Sequence, residues 1–251
     1  MKAIILAAGK GTRMHSKTEN KPKCMIRYNE KEIINHILET LRKSGINDII
    51  IVNGYKNYIL ENHLKESKIK FITNEDFSKT NMVYSLFCAE SEMNDDIIVS
   101  YSDIIYNNKT LNKLINNKSK FSVVVDEKWL NLWKIRMDDP LSDAETMKID
   151  RDGYIVELGK KPKTYKDIQG QYIGLFKIKF SALKEVREFY HSLSKTDMYN
   201  EKNYNNMYMT TFIQLIIDKL LPVKAEKIQG GWLEFDTGND INNYKLNQLS
   251  I

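Results

Sequence analysis

MKAIILAAGKGTRMHSKTENKPKCMI, residues 1–26, opens the chain with a short apolar run that gives way to glycines and basic residues. Lys2–Ala7 is predicted to be a buried strand, because it is a mostly apolar run of strand length that stops at a glycine. The strand leads directly into Gly9–Gly11, where small residues let the backbone approach a ligand and turn its N–H groups toward an anion. The segment therefore predicts a phosphate-binding turn at the end of a strand.

The basic residues near this turn account for the whole net charge of the chain. Residues 10–27 carry six cations against Glu19 alone, a surplus equal to the +5 of the full sequence. So many cations around a glycine loop repel one another unless an anion lies among them. A nucleic-acid binder spreads its basic residues over a face or a tail, and a membrane-surface protein has a basic amphipathic helix. The sequence has neither pattern, so we expect no nucleic-acid partner and no membrane contact.

The loop departs from two common nucleotide-binding motifs. Met14 stands where the dinucleotide fingerprint has its third glycine, and no Gly-Lys-Ser/Thr closes the loop as in a Walker A motif. A plain strand-to-helix turn is the structural alternative for Gly9–Gly11. The concentration of charge favours the phosphate-binding interpretation.

Strands and helices alternate through the first half of the chain. Continuous apolar strands are predicted after Lys2–Ala7 at Asp48–Asn53, Ile69–Thr73, Asp96–Tyr101 and Phe121–Val125. Helices are predicted between them at Glu30–Ser44, Tyr55–Glu66, Asn81–Met93 and Asn108–Asn116. Such strands, separated by helices, indicate an α/β fold with a three-layer, doubly wound, mostly parallel, Rossmann-like sheet.

The regular alternation of strands and helices ends after Asp126. Arg151-Asp152-Gly153 separates two short strands, Thr146–Ile149 and Tyr154–Leu158, which predicts a hairpin. A further strand is predicted at Gln171–Lys179, and helices at Ser181–Leu193 (with a Ser cap), Met207–Leu220 and Ile241–Leu249. No linker rich in Gly, Pro or Ser separates the halves. We expect one domain, 1–251, in which residues 126–251 add an antiparallel β flap to the sheet of residues 1–125.

The composition excludes other classes. The 251 residues are 42% hydrophobic and 28% charged, as in a globular protein. Cys24 and Cys88 have no paired spacing and the four histidines do not cluster, which argues against a disulfide framework and a His-ligated metal. No stretch reaches the ~18 apolar residues of a membrane helix. We therefore expect a cytoplasmic protein; a homodimer is compatible with the sequence, which does not fix the oligomeric state.

LAAGKGTR (6–13) followed by TENKPK (18–23) resembles the signature of the sugar-phosphate nucleotidyltransferase superfamily. One departure is Ser16, where many members have Pro. Further segments along the chain are similar to bacterial phosphocholine, phosphonate and phosphoglutamine cytidylyltransferases of capsule pathways: NDIIIVNGY (47–55), NMVYSLF (81–87), IVSYSDIIY (98–106), ELGKKPK (157–163), GQYIGLFK (170–177), NMYMTTF (206–212) and WLEFDTGND (232–240).

The resemblance implies a Mg²⁺-dependent transfer of CMP from CTP to a small phosphorylated or phosphonylated acceptor, with residues 1–125 binding the nucleotide and 126–251 the acceptor. Arg13 would bind the β- and γ-phosphates, and Lys23 would stabilise the negative charge that builds on the α-phosphate. Asp103 and Asp236 each follow an apolar strand. Alone they read as turn or capping residues, but the family holds Mg²⁺ with an Asp at each of these two places.

The remaining candidates concern the two substrates. Residues implied for the nucleotide are Leu6, Ala7, Ala8, Gly9, Gly11, Thr12, Asn53, Asn81 and Ser85; the last two are also ordinary helix-start residues. Lys161 is expected to bind the acceptor phosphate, and Lys160 is the other candidate for this role. The structural alternative is that either one is only a solvent-exposed lysine of the hairpin. Trp129 and Trp133 are candidates for a choline-like head group, since a quaternary ammonium favours aromatic faces. An amino-acid head group would instead use Lys128, Lys134 or Arg136 for its carboxylate and an Asp or Glu for its ammonium, and the sequence does not decide between the two. The structural alternative for Trp129 and Trp133 is that both side chains, which are four residues apart on a helix, simply pack in the core.

Three other functions fit the sequence less well. A hexose-1-phosphate nucleotidylyltransferase making an NDP-sugar is the nearest rival, although such enzymes are usually longer. A catalytically dead nucleotide sensor would be expected to lack Arg13, Lys23 or one of the two aspartates, and all are present. A nucleic-acid binder does not fit basic residues confined to one loop.

Overall fold

The structure, a computed structural model, describes residues 1–246. Its strands are, in chain order, β1 Lys2–Ala7, β2 Arg27–Tyr28, β3 Lys31–Glu32, β4 Ile49–Asn53, β5 Lys70–Thr73, β6 Ile97–Tyr101, β7 Ile104–Tyr106, β8 Phe121–Asp126, β9 Met147–Ile149, β10 Ile155–Leu158, β11 Gln171–Ile178, β12 Met198–Tyr199, β13 Lys202–Asn203, β14 Lys224–Ile228 and β15 Trp232–Glu234.

The α-helices that flank these strands are α1 Ile33–Lys43, α2 Asn57–His63, α3 Met82–Cys88, α4 Asn108–Asn116, α5 Trp129–Arg136, α6 Phe180–Ser192, α7 Met209–Lys219 and α8 Gly238–Leu246. Within residues 1–246, none of them is both long and apolar enough to cross a membrane.

Seven strands form the central sheet, in the order β14-β8-β11-β6-β1-β4-β5. β6, β1, β4 and β5 run parallel, and so do β14 and β8. The predicted three-layer, mostly parallel sheet is confirmed. The expectation of an added flap is incomplete, however, because β11 lies inside the sheet, antiparallel to β6 and β8 on its two sides. Both halves of the chain therefore contribute strands to the same sheet.

Side chains alternate between the two faces of the sheet, as the pleat requires. In β1, Ala3 and Ile5 join one buried cluster with α1, α4, α5 and α8, whereas Ile4 and Leu6 join the other with α3, α6 and α7. Because both faces are covered, the central strands are apolar throughout. This burial fixes the strand ends, and with them the loops that form the site.

Some predicted boundaries needed correction. The helix predicted at Asn81–Met93 ends at Cys88 and continues as a 3-10 turn at Glu90–Glu92. Ser181 is not a cap, because α6 begins at Phe180 and Lys179 precedes it without a side-chain cap. The predicted helix Ile241–Leu249 begins earlier, at Gly238, and its last three residues lie outside the described residues.

The predicted hairpin is confirmed as β9 paired antiparallel with β10. It is tied to the edge of the central sheet, where the backbone N–H of Ile155 donates to the Val223 carbonyl oxygen at 2.9 Å. The hairpin thereby holds residues 144–161 near the ends of β8 and β11.

Candidate active site

The glycine loop is shaped around a lysine. Gly11 has φ +65°, and a Cβ atom built on it would lie 2.9 Å from the Cβ of Lys23. Thr18 closes the turn by donating its hydroxyl to the Gly11 carbonyl oxygen at 3.0 Å. Only glycine combines this left-handed backbone with such a close approach. The loop and the stem of Lys23 therefore pack as one unit.

A cleft of about 250 Å³ opens above this loop. Eleven of the residues expected for catalysis, metal or nucleotide line it: Leu6, Ala8, Gly9, Gly11, Thr12, Arg13, Lys23, Asn81, Ser85, Asp103 and Asp236. Five others also line it but were missed from the sequence: Phe77, Thr80, Met82, Tyr101 and Ser102. Tyr101 and Ser102 precede Asp103 at the end of β6, so the strand-end argument that found Asp103 could also have found them. Phe77 and Thr80 carry no such signal.

Two expected nucleotide residues lie elsewhere. Asn53 is completely buried and donates its amide to Glu61 Oε1 at 2.8 Å. Ala7, the last residue of β1, packs in the core beneath the loop. Both face away from the cleft because side chains at a strand end still alternate between the faces of the sheet.

Lys23 bridges two carboxylates from distant parts of the chain. Its Nζ lies 2.7 Å from Asp103 Oδ2 and 3.0 Å from Asp236 Oδ1. Arg13 adds a second cation, with its NH1 nitrogen 2.5 Å from Asp236 Oδ2. The two aspartates are brought together because β15 pairs with β7 and the backbone N–H of Phe235 donates to the Asp103 carbonyl oxygen at 2.8 Å.

The charges at this point favour the protonated lysine. Burial alone would lower the pKa of Lys23, but the attraction of Asp103 and Asp236 outweighs it, so the pKa is raised. Lys23 is therefore a fixed positive charge below the glycine loop at any physiological pH.

The two aspartates have the chemistry of a magnesium site. Asp103 Oδ1 is buried and has no hydrogen-bond partner among residues 1–246, although a buried carboxylate oxygen needs one. In the same range no group of three or more His, Cys, Asp or Glu side chains is arranged to hold a metal ion. Mg²⁺ usually binds one or two protein carboxylates and completes its shell with phosphate and water. Asp103 and Asp236 therefore fit Mg²⁺ bound together with a triphosphate.

A network of ion pairs and hydrogen bonds holds the backbone of Asp236 in position. Asp240 accepts the backbone N–H of Asp236 at 2.7 Å, and it pairs with Arg136 at 3.3 Å. Arg136 also forms an ion pair with Glu234 and lies over the Trp133 ring, 5.0 Å from its centroid. Burial raises the pKa of Glu234 to about 7 against the pull of Arg136. The network holds the Asp236 backbone in place. It also pairs Arg136, which the sequence offered for an acceptor carboxylate, with carboxylates of the protein itself.

Beyond Asp236 the cleft continues into a second cavity of about 760 Å³. Thr12, Arg13 and Asp236 border both spaces. Arg136, Asp143 and the start of α8 line the far side. The site therefore has room on both sides of the carboxylate pair.

Asn81 and Ser85 lie in the cleft but already have partners. The Asn81 side chain accepts the backbone N–H of Met82 at 2.8 Å and caps α3. The Ser85 hydroxyl accepts from Asn74 Nδ2 at 3.0 Å. These bonds fix both side chains at the cleft wall and leave part of the hydrogen-bonding capacity of each for a ligand.

The structure does not bring the expected tryptophans to the cleft. Trp129 and Trp133 are each 4% exposed, with ring centroids 5.6 Å apart. The Trp133 indole N–H donates to Asp143 at 3.0 Å. Their positions correspond to the core-packing alternative, because the apolar face of α5 turns inward.

The two candidate lysines lie at the hairpin. Lys161 Nζ donates to the carbonyl oxygens of Leu141 and Ser142, at 2.8 and 2.6 Å. Lys160 pairs with Glu157 at 2.9 Å. Neither lines the first cleft, so a role in acceptor binding requires Lys161 or Lys160 to exchange these partners for a phosphate.

The comparisons with known proteins agree with this geometry. The family model described as the MobA-like NTP transferase domain matches residues 3–142. The chain is 46% identical over 248 residues to the CTP:phosphoglutamine cytidylyltransferase of Campylobacter jejuni, covering 96% of this chain and 98% of that one. It is 36% identical over 134 residues to the choline-phosphate cytidylyltransferase of Streptococcus pneumoniae, covering 53% and 57%.

Solved structures show the same fold. The CTP:phosphocholine cytidylyltransferase LicC of Streptococcus pneumoniae superposes with a TM-score of 0.76 at 21% identity, covering 99% of both chains. The inositol-1-phosphate CTP transferase of T. maritima superposes with a TM-score of 0.75 at 20% identity, covering 100% of this chain and 97% of that one. With the family match over more than half its length, this chain belongs to the MobA-like NTP transferase family.

Proposed function

We propose that the protein is a Mg²⁺-dependent cytidylyltransferase that transfers CMP from CTP to a small phosphorylated acceptor and releases pyrophosphate. Phosphoglutamine is the first acceptor to test, because the relative that matches nearly the whole chain carries that name. The observation that supports the reaction class most strongly is the bridge of Lys23 between Asp103 and Asp236 below the glycine loop. The enzyme would act in the cytoplasm, and its product would serve surface-polysaccharide modification.

The nucleotide would lie over the glycine loop. Backbone N–H groups of Gly9 and Gly11 would meet the phosphates, and Arg13, whose side chain is 67% exposed, can turn toward the β- and γ-phosphates. Asn81 and Ser85 would contact the base from the start of α3. Asp103 and Asp236 would hold Mg²⁺, which neutralises phosphate charge and polarises the α-phosphate when bound.

The transfer itself needs positioning more than acid–base chemistry. An oxygen of the acceptor phosphate forms a bond to the α-phosphorus of CTP while the bond to the β-phosphate oxygen breaks, and pyrophosphate leaves with that electron pair. The attacking phosphate is already ionised near neutral pH, so no side chain has to remove a proton. Lys23 would stabilise the charge that builds on the α-phosphate.

A substrate matrix tests the proposal. Four nucleoside triphosphates are assayed with phosphoglutamine, phosphocholine, phosphoethanolamine, aminoethylphosphonate and hexose 1-phosphates, with pyrophosphate release as the readout. We expect release to require Mg²⁺ and to be fastest with CTP and a phosphorylated small acceptor. Equal use of UTP or dTTP would contradict the cytidylyl assignment, and exclusive use of a hexose 1-phosphate would favour NDP-sugar synthesis.

A matched pair of variants tests the site. Asp103→Asn should lower kcat by at least about 100-fold, since one metal carboxylate is lost. Asp218→Asn, on the exposed outer face of α7, should leave kcat unchanged. Circular dichroism of both variants checks the fold. Asp103→Asn activity within tenfold of the wild type would refute the role of Asp103.

A further inference from the structure

One buried asparagine lies directly behind the wall of the cleft. Asn74 follows β5, and its backbone N–H donates to the Asn53 carbonyl oxygen at 2.8 Å; the residue is 1% exposed. Its side-chain oxygen accepts the backbone N–H of Asp76 at 3.0 Å. Because a backbone N–H can only donate, this bond fixes which end of the amide is the oxygen and which is the nitrogen. The amide nitrogen of Asn74 therefore points away from Asp76 N, toward the cleft wall.

Two hydroxyl groups of that wall accept the N–H groups of this amide. Nδ2 of Asn74 donates to Thr80 Oγ1 and to Ser85 Oγ, each at 3.0 Å. Thr80 and Ser85 both line the cleft. Each hydroxyl is thus an acceptor on its buried side and keeps its own O–H to donate elsewhere. Since both N–H groups and the oxygen of the Asn74 amide have partners, the amide is held in one orientation.

The two hydroxyls differ in where their own protons can go. Thr80 Oγ1 donates to the Asp76 carbonyl oxygen at 2.9 Å. Ser85 Oγ lies 3.4 Å from the Asn81 carbonyl oxygen, which is long for an O–H···O bond. That carbonyl already accepts the backbone N–H of Ser85 at 3.1 Å. The Ser85 O–H is therefore available to donate to a ligand in the cleft.

A hydroxyl that is restricted to donation distinguishes the two pyrimidines. Cytosine has an unprotonated N3, which accepts a hydrogen bond, whereas N3 of uracil carries a hydrogen. An O–H donor therefore pairs with N3 of cytosine and meets a second donor in uracil. Two donors facing each other in a closed site leave both without a partner, which lowers affinity. The direction of the Ser85 hydroxyl, and not its presence alone, would thus decide which base is favoured.

We propose that Asn74 is a positioning residue for the choice of nucleotide: it keeps the Ser85 hydroxyl as a donor toward N3 of the base and so favours CTP over UTP. The inference rests on the proposed function, in which Ser85 contacts the base, and adds the group that fixes the direction of this contact. Asn74 acts through Ser85 and Thr80, which lie between its amide and the cleft. Changing the amide should therefore alter selectivity among bases and leave the phosphate and metal positions as they are.

Replacing the amide by a carboxylate tests the proposal. Asn74→Asp keeps the size of the side chain but offers only oxygen to the two hydroxyls. The Ser85 O–H should then turn toward the new carboxylate and leave a lone pair for the base. Titration calorimetry with Mg²⁺ and either CTP or UTP, without an acceptor, measures the two affinities. The wild type should bind CTP at least about tenfold more tightly than UTP, and Asn74→Asp should lower this ratio at least about tenfold.

Asn205→Asp is the matched control, because it adds the same charge near the same wall. Asn205 is exposed, and its carbonyl oxygen accepts the backbone N–H of Asn81 at 2.9 Å. This variant should keep the wild-type ratio. An unchanged ratio in Asn74→Asp, or equal weakening of CTP and UTP as a merely structural role would give, overturns the inference alone. Equal affinity of the wild type for CTP and UTP also overturns it, whereas the proposed function stands or falls separately, with pyrophosphate release in the substrate matrix.

A second measurement needs no variant to fold. 3-Deaza-CTP has a C–H group in place of N3 and otherwise keeps the shape of CTP. The wild type should bind it at least about tenfold more weakly than CTP, because the Ser85 O–H loses its acceptor. Ser85→Ala should bind the two nucleotides alike. Equal affinity of the wild type for CTP and 3-deaza-CTP would overturn the inference, whatever the result with Asn74→Asp.

Discussion

The ammonium group of Lys23 lies 2.7 Å from a carboxylate oxygen of Asp103 and also contacts Asp236 at 3.0 Å. It thus takes the position between the two carboxylates that the proposed Mg²⁺ would need. Two cations cannot share this space without strong repulsion. In the proposed reaction Lys23 would therefore move toward the triphosphate when metal and nucleotide bind, whereas in this structure it balances the two aspartates.

Removing this lysine should affect metal binding and turnover in opposite directions. In Lys23→Met, the aspartates lose their internal cation, so we expect Mn²⁺ to bind the nucleotide-free protein about tenfold more tightly or better. Turnover should fall at least about 100-fold, because the charge on the α-phosphate is no longer stabilised. Titration calorimetry with Mn²⁺ alone measures the first effect. Unchanged metal affinity would show that Lys23 does not compete for the carboxylates.

Gly11→Ala should disrupt the same unit through its backbone. A Cβ atom there would lie 2.9 Å from the Cβ of Lys23, at a φ of +65°. Gly45→Ala is a matched control: it has φ +84°, but a Cβ atom would meet nothing within 4 Å. Both variants should lose about 1 kcal/mol of stability from backbone strain. Only Gly11→Ala should also lower kcat/KM, by about tenfold or more; equal activity in the two variants would contradict the packing argument.

The ionisation of Glu145 should make the stability of the free protein depend on pH. Its pKa is about 7 in the folded protein and near 4.5 when unperturbed, so the folded state holds the proton more tightly. Stability attributable to this proton is present below pH 4.5 and is lost as the pH rises to 7. Asp143, Tyr101 and Tyr172 face the group and add no positive charge.

Glu145→Gln removes this proton equilibrium. From pH 5 to pH 8 the variant should gain roughly 1 to 3 kcal/mol in unfolding free energy relative to the wild type. Urea denaturation at several pH values measures the difference. A Glu145→Gln difference that stays constant with pH would mean that Glu145 titrates normally.

The sequence was sufficient for the parts of the site that follow from strand ends. β1 leads into the glycine loop and β6 into Asp103, because continuous apolar runs specify buried parallel strands whose carboxyl ends share one edge. For Asp103 and Asp236 alike, the metal role was implied by the family resemblance; Asp236 also follows an apolar strand. Its place beside Asp103 depends on the antiparallel pairing of β15 with β7, which no local sequence pattern predicts.

The parts that were missed depend on contacts between distant segments. The insertion of β11 between β6 and β8 cannot be read from its composition, because strand order depends on pairing between distant segments. Asn53 is the last residue of β4 and is buried in the core, whereas Asp103 lies two residues beyond the end of β6. Glu145 ends the acidic stretch 126–145, but nothing in that stretch predicts its burial, which arises only when the hairpin, β11 and α7 come together.

Trp129 offers a test of the packing interpretation. Its ring is 4% exposed and packs against Trp133 and Tyr165, with ring centroids 5.6 and 6.3 Å away. Trp129→Phe should leave a partly filled space and cost about 1 to 3 kcal/mol of stability, measured by urea denaturation. The acceptor KM should change less than twofold, because the ring does not reach the cleft. A tenfold higher acceptor KM with unchanged stability would instead support the acceptor-binding role expected from the sequence.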